Sequence, residues 1–412
     1  MMTGFSGFSA LRFRDFRVFW FGQLISLSGT WMQSVAQGWL VYSLTRSPFY
    51  LGMVAAAGSF PILLFTLAGG IAADRFRKRN LLLLTQALSI LPALILGILI
   101  STDIIAVWMV IILAFLLGTF NAFDIPARQS FIVELVGKST LTNAIALNSA
   151  AFHSARMIGP VIAGITIAHL GIAACFYLNA LSFSAVLVAL AMIRVQGRMH
   201  KDSRGILKNL IEGIQFVRSR DEIVRVILVI AIFSLIGMPF ITLLPVYAGD
   251  IFKAGPEGYG LLVGATGLGA LSAALLIAFT RDVADKAKFM AVSTISVSLG
   301  LFVFSLSRNF GLSLFMLVVT GWGLVSFLAT ANSFIQLAVP DAMRGRAMSI
   351  YTFVFLGTAP IGNSIMGIMA DLIGTPQAVT LSSVLCIVTS AVFTMKIFRK
   401  GEGASSYETP RT

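Results

Sequence analysis

The sequence predicts an all-α membrane protein with twelve transmembrane helices, arranged as two pseudo-symmetric halves of six helices each. Hydrophobic residues make up 57% of the chain and charged residues only 11%, a composition far from that of soluble globular proteins. Twelve apolar windows are long enough to span a bilayer, which takes about 20 residues. The longest polar interval of the chain divides these windows into two sets of six.

The predicted helices follow one another through short polar connections. The windows lie at residues 16–43, 49–73, 80–100, 104–125, 142–169, 172–194, 223–249, 258–280, 287–307, 311–338, 346–372 and 376–397. The first half is therefore predicted at 1–195, the linker at 196–222, the second half at 223–398 and a tail at 399–412. Residues 1–17 lack the apolar core of a cleavable signal peptide, so we expect the first helix to direct insertion.

Basic residues lie almost entirely on one side of the predicted membrane. If both termini are cytoplasmic, all but four of the 30 Lys and Arg residues fall on the cytoplasmic side, the exceptions being Arg46, Arg156, Lys253 and Arg308. Because cytoplasmic loops carry an excess of Lys and Arg, this pattern predicts that both termini face the cytoplasm from the inner membrane. The net charge of +13 follows from these loops and does not indicate nucleic-acid binding.

The linker between the halves has an amphipathic pattern. Its apolar residues recur at helical spacing among charged ones, at Leu207, Leu210, Ile211, Ile214 and Val217. This pattern predicts a helix on the inner membrane surface that joins two halves moving relative to one another.

Corresponding residues relate the two halves. The matched pairs are Pro48 with Pro256, Gly52 with Gly260, Asp74 with Asp282, and, at a nearly equal offset, Gly171 with Gly374. Several ordered matches at nearly one offset indicate a duplicated six-helix unit. Such a duplication with a central cavity between its copies is the architecture of alternating-access transporters.

The most informative short segment is the turn at residues 70–79, which reads Gly-Ile-Ala-Ala-Asp-Arg-Phe-Arg-Lys-Arg between two apolar windows. A polar loop this short cannot fold alone, so its charged groups should engage neighbouring helix ends, and a carboxylate is favoured near a helix start. The turn therefore predicts a latch on one membrane face rather than a catalytic centre. The alternative is a solvated loop whose basic residues only set the topology.

This turn resembles the Gly-x-x-x-Asp-Arg-x-Gly-Arg-Lys signature of the major facilitator superfamily of transporters, with Arg77 in place of the usual glycine. The matching residues are Gly70, Asp74, Arg75, Lys78 and Arg79. The segments 31–33, 37–42, 126–129 and 340–346 resemble the branch that contains the enterobactin exporter and macrolide-efflux proteins. The resemblance implies the major facilitator fold, and a latch in which Asp74 meets Arg128 and the start of the eleventh helix near Gly345.

The fifth predicted helix carries a stripe of small residues with a proline, namely Ala155, Gly159, Pro160 and Gly164. Small residues let two helix backbones approach closely, and the proline can bend the segment. The stripe is similar to the Gly-Pro-x-x-Gly-Gly element of exporters in the same superfamily. Close packing follows from the residues themselves, whereas export follows from the resemblance.

Candidate cavity residues lie on the first and fifth predicted helices. Arg156 is a cation well inside a predicted helix, so it should face a partner or a watery cavity, with His153 on the same face. It either contacts a ligand or pairs with helix carbonyls or a neighbouring acid. Gln33 and Gln37 share a face beside Trp31 and either line the cavity or join helices as packing amides.

Acidic residues are expected only in loops, tails and near helix ends. The family resemblance implies proton antiport, and the candidate proton carriers are Asp124, His153 and Asp371. The chain has no phosphate-binding Gly-x-x-x-x-Gly-Lys-Ser/Thr loop, so ATP hydrolysis is not the predicted energy source. Its two cysteines and three histidines lack ligand spacing, so no metal, cofactor or enzymatic centre is predicted.

The sequence therefore predicts a monomeric secondary transporter in contact with membrane lipid. It would export an amphipathic small molecule, a drug or a siderophore, across the cytoplasmic membrane. Uptake and lysophospholipid flipping are alternatives within the same class of protein, and a receptor or scaffold that transports nothing is an alternative from a different class. Neutralising Asp74 would leave the activity of a receptor or scaffold intact, because such a protein needs no alternating closure.

Overall fold

A computed structural model describes residues 6–195, 214–280 and 285–404 of the chain, and these residues form a helical bundle. The six helices of the first half are α1 (Arg14–Thr45), α2 (Pro48–Arg75), α3 (Lys78–Ser101), α4 (Val107–Val136), α5 (Leu141–Leu170) and α6 (Ile172–Met192). The six of the second half are α7 (Asp221–Ile251), α8 (Gly255–Thr280), α9 (Lys286–Leu306), α10 (Phe310–Ala338), α11 (Asp341–Gly357 and Ala359–Ile373) and α12 (Thr375–Ala404). The predicted all-α fold is confirmed.

These helices have the length and composition of membrane spans. Among the described residues, 11 helices are long and apolar enough to cross a bilayer. Helix α1, with 32 residues, is the twelfth, and it is more polar because it carries Gln23, Gln33 and Gln37. Large apolar side chains such as Leu181 and Phe279 lie exposed on the outside of the bundle, where lipid would cover them. The chain is a multi-pass membrane protein.

Each half packs as a bundle of its own. In the first half α1 packs on α5 and α6, α2 on α4, and α3 on α4 and α6. In the second half α8 packs on α10, α9 on α10 and α12, and α11 on α7 and α12. Two helix pairs, α2 with α11 and α5 with α8, make the main contacts between the halves.

The backbone repeats a turn at corresponding places in the two halves. Gly171, between α5 and α6, has φ of 84°, and Gly374, between α11 and α12, has φ of 93°. An L-residue rarely adopts such angles, so glycine is required at both turns. This pair was matched in the sequence, and its shared geometry supports the duplication. Asp282, the counterpart of Asp74, lies outside the described residues.

Helices α7 and α11 are interrupted. Helix α7 changes to a π-helical turn at Phe233–Gly237, a 3₁₀ segment at Met238–Leu243 and a second π-helical turn at Tyr247–Ile251. Helix α11 breaks at Thr358, next to Gly357 and before Pro360. Interrupted helices are typical of transporters, where they line the path of the substrate.

Most of the predicted amphipathic linker helix lies at 196–213, outside the described residues, and 214–218 are helical. The fourth window was predicted to end at residue 125, which is wrong, because α4 continues to Val136. Arg128, expected in a loop, therefore lies within α4.

Candidate functional site

The candidate site lies between the two halves, which are joined at one end of the bundle and separated at the other. We call the end at which α1 begins and α2 finishes the basic end, because Arg14, Arg75 and Arg79 lie there. The opposite end is where α1 finishes at Thr45 and α2 begins at Pro48.

Polar contacts cross between the halves at the opposite end. The Tyr42 hydroxyl on α1 donates to Asp250 on α7 at 2.6 Å. Arg46 donates to the Tyr42 oxygen at 2.6 Å and lies 3.6 Å from Asp250. Ser47 donates to Asp371 on α11 at 2.9 Å, so this candidate proton carrier lies at the exposed end of the bundle. These contacts connect α1 and the α1–α2 turn with two helices of the second half.

Glycines bring α5 and α8 into backbone contact near the same end. A Cβ placed on Gly164 would lie 2.8 Å from the Pro256 oxygen, and one on Gly260 would overlap the Pro160 oxygen. Deeper in the bundle, a Cβ on Gly267 would lie 2.6 Å from the Arg156 carbonyl oxygen. The two halves can therefore approach this closely only because these positions lack side chains.

The small-residue stripe of α5 faces two neighbours rather than one. Pro160 and Gly164 contact α8, whereas a Cβ on Gly159 would meet the Ser28 oxygen and Trp31 of α1. Ala155 is fully buried. Helix α5 is therefore packed tightly against its own half and against the second half.

The same pattern appears where α2 meets α11. A Cβ on Gly52 would lie 2.8 Å from the Cα of Gly367, so the helices touch near the opposite end. Toward the basic end they diverge around a crevice of about 280 Å³. The crevice is lined by apolar and small polar residues of both helices, including Thr66, Leu67, Gly345, Met348 and Ser349.

The central parts of the predicted latch are apart in this conformation. A Cβ placed on Gly70 or on Gly345 would have no other group of the described residues within 4 Å. Asp74 is exposed and makes no hydrogen bond or ion pair with the part of the chain that the structure describes. Arg75 is also exposed. Asp74 therefore makes no hydrogen bond to the described part of α11 in this conformation.

The remaining predicted latch residues bind within the first half. Lys78 is 3% exposed and forms a 2.8 Å ion pair with Glu134 of α4. Arg79 donates to the carbonyl oxygens of Leu190, at 2.6 Å, and Ala191, at 3.2 Å. These contacts tie the start of α3 to α4 and to the end of α6.

A buried carboxylate contradicts the expectation that all acids lie in loops or near helix ends. Asp124, 1% exposed, is well inside α4 and is paired with Arg128 one turn further along. It also accepts hydrogen bonds from Thr85 at 2.9 Å and from Gln86 at 2.8 Å, both on α3. Arg128 in turn donates to Gln23 of α1 at 2.5 Å. The ion pair and its three partners form a polar network inside the first half.

Arg156 lies halfway along α5, and no described residue of opposite charge forms an ion pair with it. It is 9% exposed, and its Nε atom is buried without a hydrogen-bond partner among the described residues. Its guanidinium carbon lies 5.4 Å from the centre of the Trp31 ring, within the range of a cation–π contact. His153, one turn before it, has a buried Nδ1 that also lacks a partner in the described chain. The rings of Trp31 and Phe152 meet edge to face at 5.8 Å.

The two glutamines of α1 have different surroundings. Gln33 is 2% exposed and accepts a 2.6 Å hydrogen bond from Asn179 of α6, so it joins two helices of one half in this conformation. Gln37 is half-buried, two residues before Trp39, whose ring stacks on Tyr259 of α8 at 6.1 Å. Gly38 and Trp39, the next residues of α1, meet Tyr259 of the second half, whereas Gln33 joins α1 to α6.

Sequence reasoning assigned no role to Tyr42 and Asp250 of the contact at the opposite end, or to Thr85 and Gln86, which bind the candidate Asp124 in the buried network. Asp250, Thr85 and Gln86 belong to no recognisable motif, and Tyr42 lies in the segment 37–42 that carries the family resemblance. Asp250 follows an apolar stretch that contains Pro245, and the irregular end of α7 brings it to α1. The available signal was only the presence of acids near predicted helix ends.

Two six-helix halves that meet around a polar site in mid-bundle, with interrupted α7 and α11, define a membrane transporter of the major facilitator type rather than an enzyme. The chain belongs to the transmembrane secretion effector family, which matches residues 5–410. This confirms the predicted superfamily.

Individual relatives agree with this assignment. The chain is 27% identical to the staphyloferrin A transporter of Staphylococcus aureus, over 92% of this chain and 95% of the relative. It is 25% identical to the multidrug efflux pump Tap of Mycolicibacterium fortuitum, over 86% and 88% of the two chains. The fold also matches a solved structure of a bacterial homologue of the human lysosomal transporter Spinster, which is in an inward-facing and unoccupied conformation. The TM-score is 0.74 and the sequence identity 11%, over 93% of this chain and 96% of that one.

Proposed function

We propose that the protein is a secondary exporter that moves amphipathic small molecules out across the cytoplasmic membrane in exchange for protons. The observation that carries the proposal is the asymmetry of the interface between the halves. They touch through glycines and the Tyr42–Asp250 hydrogen bond at the opposite end, and diverge at the basic end. A molecule could therefore enter the interface only from the basic end.

The proposed orientation places the basic end and both termini in the cytoplasm, because loops rich in Lys and Arg stay on that side. The described conformation is then open to the cytoplasm. Release outside requires that the contacts at the opposite end break and that the crevice between α2 and α11 closes. Asp74 would then reach the start of α11 near Gly345, where the helix dipole favours a carboxylate. The linker at 196–222 would connect the moving halves.

The central site suits a solute that is partly apolar and partly polar. Trp31 and Phe152 offer aromatic surface, and Arg156, His153 and Gln37 offer polar groups. The names of the relatives, a multidrug efflux pump and a siderophore transporter, support a small-molecule substrate and favour export. For proton exchange, His153 and Asp124 are the titratable groups inside the bundle that we propose as carriers.

The experiment is transport into inside-out membrane vesicles. Because the cytoplasmic side faces outward in these vesicles, an exporter driven by proton exchange should accumulate fluorescent drugs or labelled siderophores when the vesicle interior is made acidic. Uptake should collapse on addition of a protonophore and should fall at least tenfold in Asp74→Asn. Asp103→Asn is the matched control, because Asp103 is an exposed acid in the α3–α4 turn at the opposite end.

Each alternative has its own outcome. Accumulation only in right-side-out vesicles would show uptake instead of export. Movement of labelled lysophospholipid between leaflets, without accumulation of drugs or siderophores, would show flipping. Gradient-independent accumulation would contradict proton exchange, and an unchanged rate in Asp74→Asn would contradict the latch.

A further inference from the structure

We propose that Arg156 binds a carboxylate of the transported molecule, so that the substrate class is an amphipathic carboxylic acid with an aromatic or otherwise apolar body. This inference deepens the proposed function and rests on it, because it assigns a substrate class to the same central site.

The guanidinium of Arg156 is isolated from other polar groups among the described residues. Arg156 is nine-tenths buried and donates no hydrogen bond to any residue that the structure describes. Its Nε is fully buried without a partner in the described chain. Its two terminal nitrogens also lack a described partner but are not fully buried, so they reach accessible space. A cation at the middle of a bilayer is energetically costly and is normally paired. The guanidinium of Arg156 is therefore available to pair with an anion.

The acids of the surrounding helices form no ion pair with Arg156 in the described part of the chain. Helix α5 itself contains no Asp or Glu. The acids of its neighbours are at helix ends, namely Asp15 in the first turn of α1 and Glu257 in the first turn of α8. Helix α6 contains no acid. Helix α4, which also contacts α5, carries Asp124 and Glu134, but these form ion pairs with Arg128 and Lys78. A counter-ion for Arg156 must therefore come from elsewhere, and a bound ligand can supply it.

The groups around Arg156 suit a ligand that carries both a carboxylate and an aromatic surface. A guanidinium is planar and binds a carboxylate through two parallel hydrogen bonds, which gives direction as well as affinity. Trp31 lies against the guanidinium at 5.4 Å and Phe152 packs on Trp31 at 5.8 Å, so aromatic surface adjoins the charge. The unpartnered Nδ1 of His153 provides a second polar contact. A cationic solute would be repelled at this position, whereas an aromatic acid would satisfy both surfaces.

The site also adjoins the interface that must move. Gly267 of α8 packs directly on the Arg156 carbonyl, so the second half lies against the backbone of the residue that would hold the ligand. A carboxylate bound here would contact α1 and α5 beside α8. Binding could therefore bias the α5–α8 contact, as a transported substrate must.

The test compares each acid with its own ester on the purified full-length protein in phosphatidylcholine nanodiscs. The probes are rhodamine 110 with its methyl ester rhodamine 123, and 1-pyrenebutyric acid with its methyl ester, followed by fluorescence polarisation. Hydrogen bonds to charged groups predict that the wild type binds the acid at least about tenfold more tightly than the ester. Arg156→Gln should remove this preference, and Arg156→Lys should retain part of it.

Arg308→Gln is the matched control, because Arg308 is an exposed arginine in the α9–α10 turn at the opposite end, makes none of the described contacts between the halves, and should not affect the acid preference. Equal binding of acid and ester by the wild type in both pairs would overturn the proposal without any variant having to fold. So would an acid preference that survives in folded Arg156→Gln. Gradient-driven uptake into vesicles without a preference for acids would refute only the carboxylate site at Arg156. A preference for acids without any uptake would refute the proposed export function and would still support the carboxylate site.

Discussion

Tyr42 donates a 2.6 Å hydrogen bond to Asp250, and this bond joins the last turns of α1 and α7 across the two halves of the molecule. Arg46, which directly follows α1, reinforces it through a 2.6 Å bond to the Tyr42 oxygen and a cation–π contact at 4.6 Å. The Tyr42 ring also occupies the space beside Gly249, where a Cβ would overlap it. The opposite end is thus closed by complementary shape as well as by charge.

Removing this bond should shift the protein toward the conformation that is open at the opposite end. Hydrogen bonds to charged groups contribute about 1.5 to 3 kcal/mol, so Tyr42→Phe should increase the open population about ten- to a hundredfold. The measurement is the rate at which an impermeant maleimide, added from that end, labels Gln37→Cys in a Cys175→Ala/Cys386→Ala background. The control is Tyr50→Phe, which removes the hydroxyl of an exposed tyrosine near the start of α2. An unchanged labelling rate in Tyr42→Phe would show that this bond does not hold the end closed.

The α5–α8 contact should be intolerant of any side chain at Gly260. A Cβ there meets the Pro160 oxygen and the Gly164 backbone, neither of which can rotate away. Gly260→Val should therefore destabilise the protein by about 1 to 3 kcal/mol, the usual effect of overpacking, and should slow transport. The midpoint of thermal unfolding and the vesicle uptake rate measure the two effects.

The matched control for this prediction is Gly58→Ala on α2. A Cβ at Gly58 would have its nearest neighbour at 3.9 Å, which is ordinary contact. Because alanine favours a helix over glycine by about 1 kcal/mol, this change should leave stability equal or higher. If Gly260→Val were as stable as Gly58→Ala, the close approach of α5 and α8 would not be essential.

The helices could be predicted from the sequence because membrane spans are read from local composition. Long apolar runs and the one-sided distribution of Lys and Arg are properties of neighbouring residues. The end of α4 could not be read in this way. Asp124 and Arg128 look like loop residues in a hydropathy window, yet they neutralise each other inside the bundle with Thr85 and Gln86. Such pairing depends on α3, which lies far away in the sequence.

The site was predicted less completely than the fold for the same reason. Arg156 could be selected because a cation inside an apolar helix is costly wherever the helix packs. Tyr42 and Asp250 could not, because each is unremarkable until α1 and α7 are placed side by side. Gln33 is a further example. The face of α1 on which it lies could be predicted, but its partner Asn179 could not, because Asn179 is on α6.

The contributions of Asp124 and Arg128 to the stability of the first half should depend on each other. Breaking a buried ion pair by removing one partner typically costs about 3 to 5 kcal/mol, because the other charge is left uncompensated. Asp124→Asn should therefore lower the free energy of unfolding by an amount in this range. The double variant Asp124→Asn/Arg128→Gln should lower the free energy of unfolding by less than the sum of the two single variants.

Asp285→Asn is the control for this prediction. Asp285 and Lys288 form an exposed pair at the start of α9, so the loss of this pair should leave the stability near that of the wild type. Additive effects of the two buried substitutions would contradict the coupling.

If the halves rock as rigid bodies, contacts at the two ends should change in opposite directions. The pair Gly70→Cys/Gly345→Cys reports closure of the basic end, where neither glycine now has a neighbour within 4 Å. The pair Ser47→Cys/Asp371→Cys reports the opposite end, where the native side chains are 2.9 Å apart. Both pairs are built in a Cys175→Ala/Cys386→Ala background.

Adding Tyr42→Phe should raise the disulfide yield of the first pair and lower that of the second, because a single equilibrium governs both ends. A cross-linked basic end should also block transport, and reduction should restore it. Yields are measured by the mobility of the oxidised protein on a non-reducing gel, with Tyr50→Phe as the control background. If both yields moved together, Tyr42→Phe would have loosened the bundle instead of shifting it between two states, and alternating closure of its ends would be refuted.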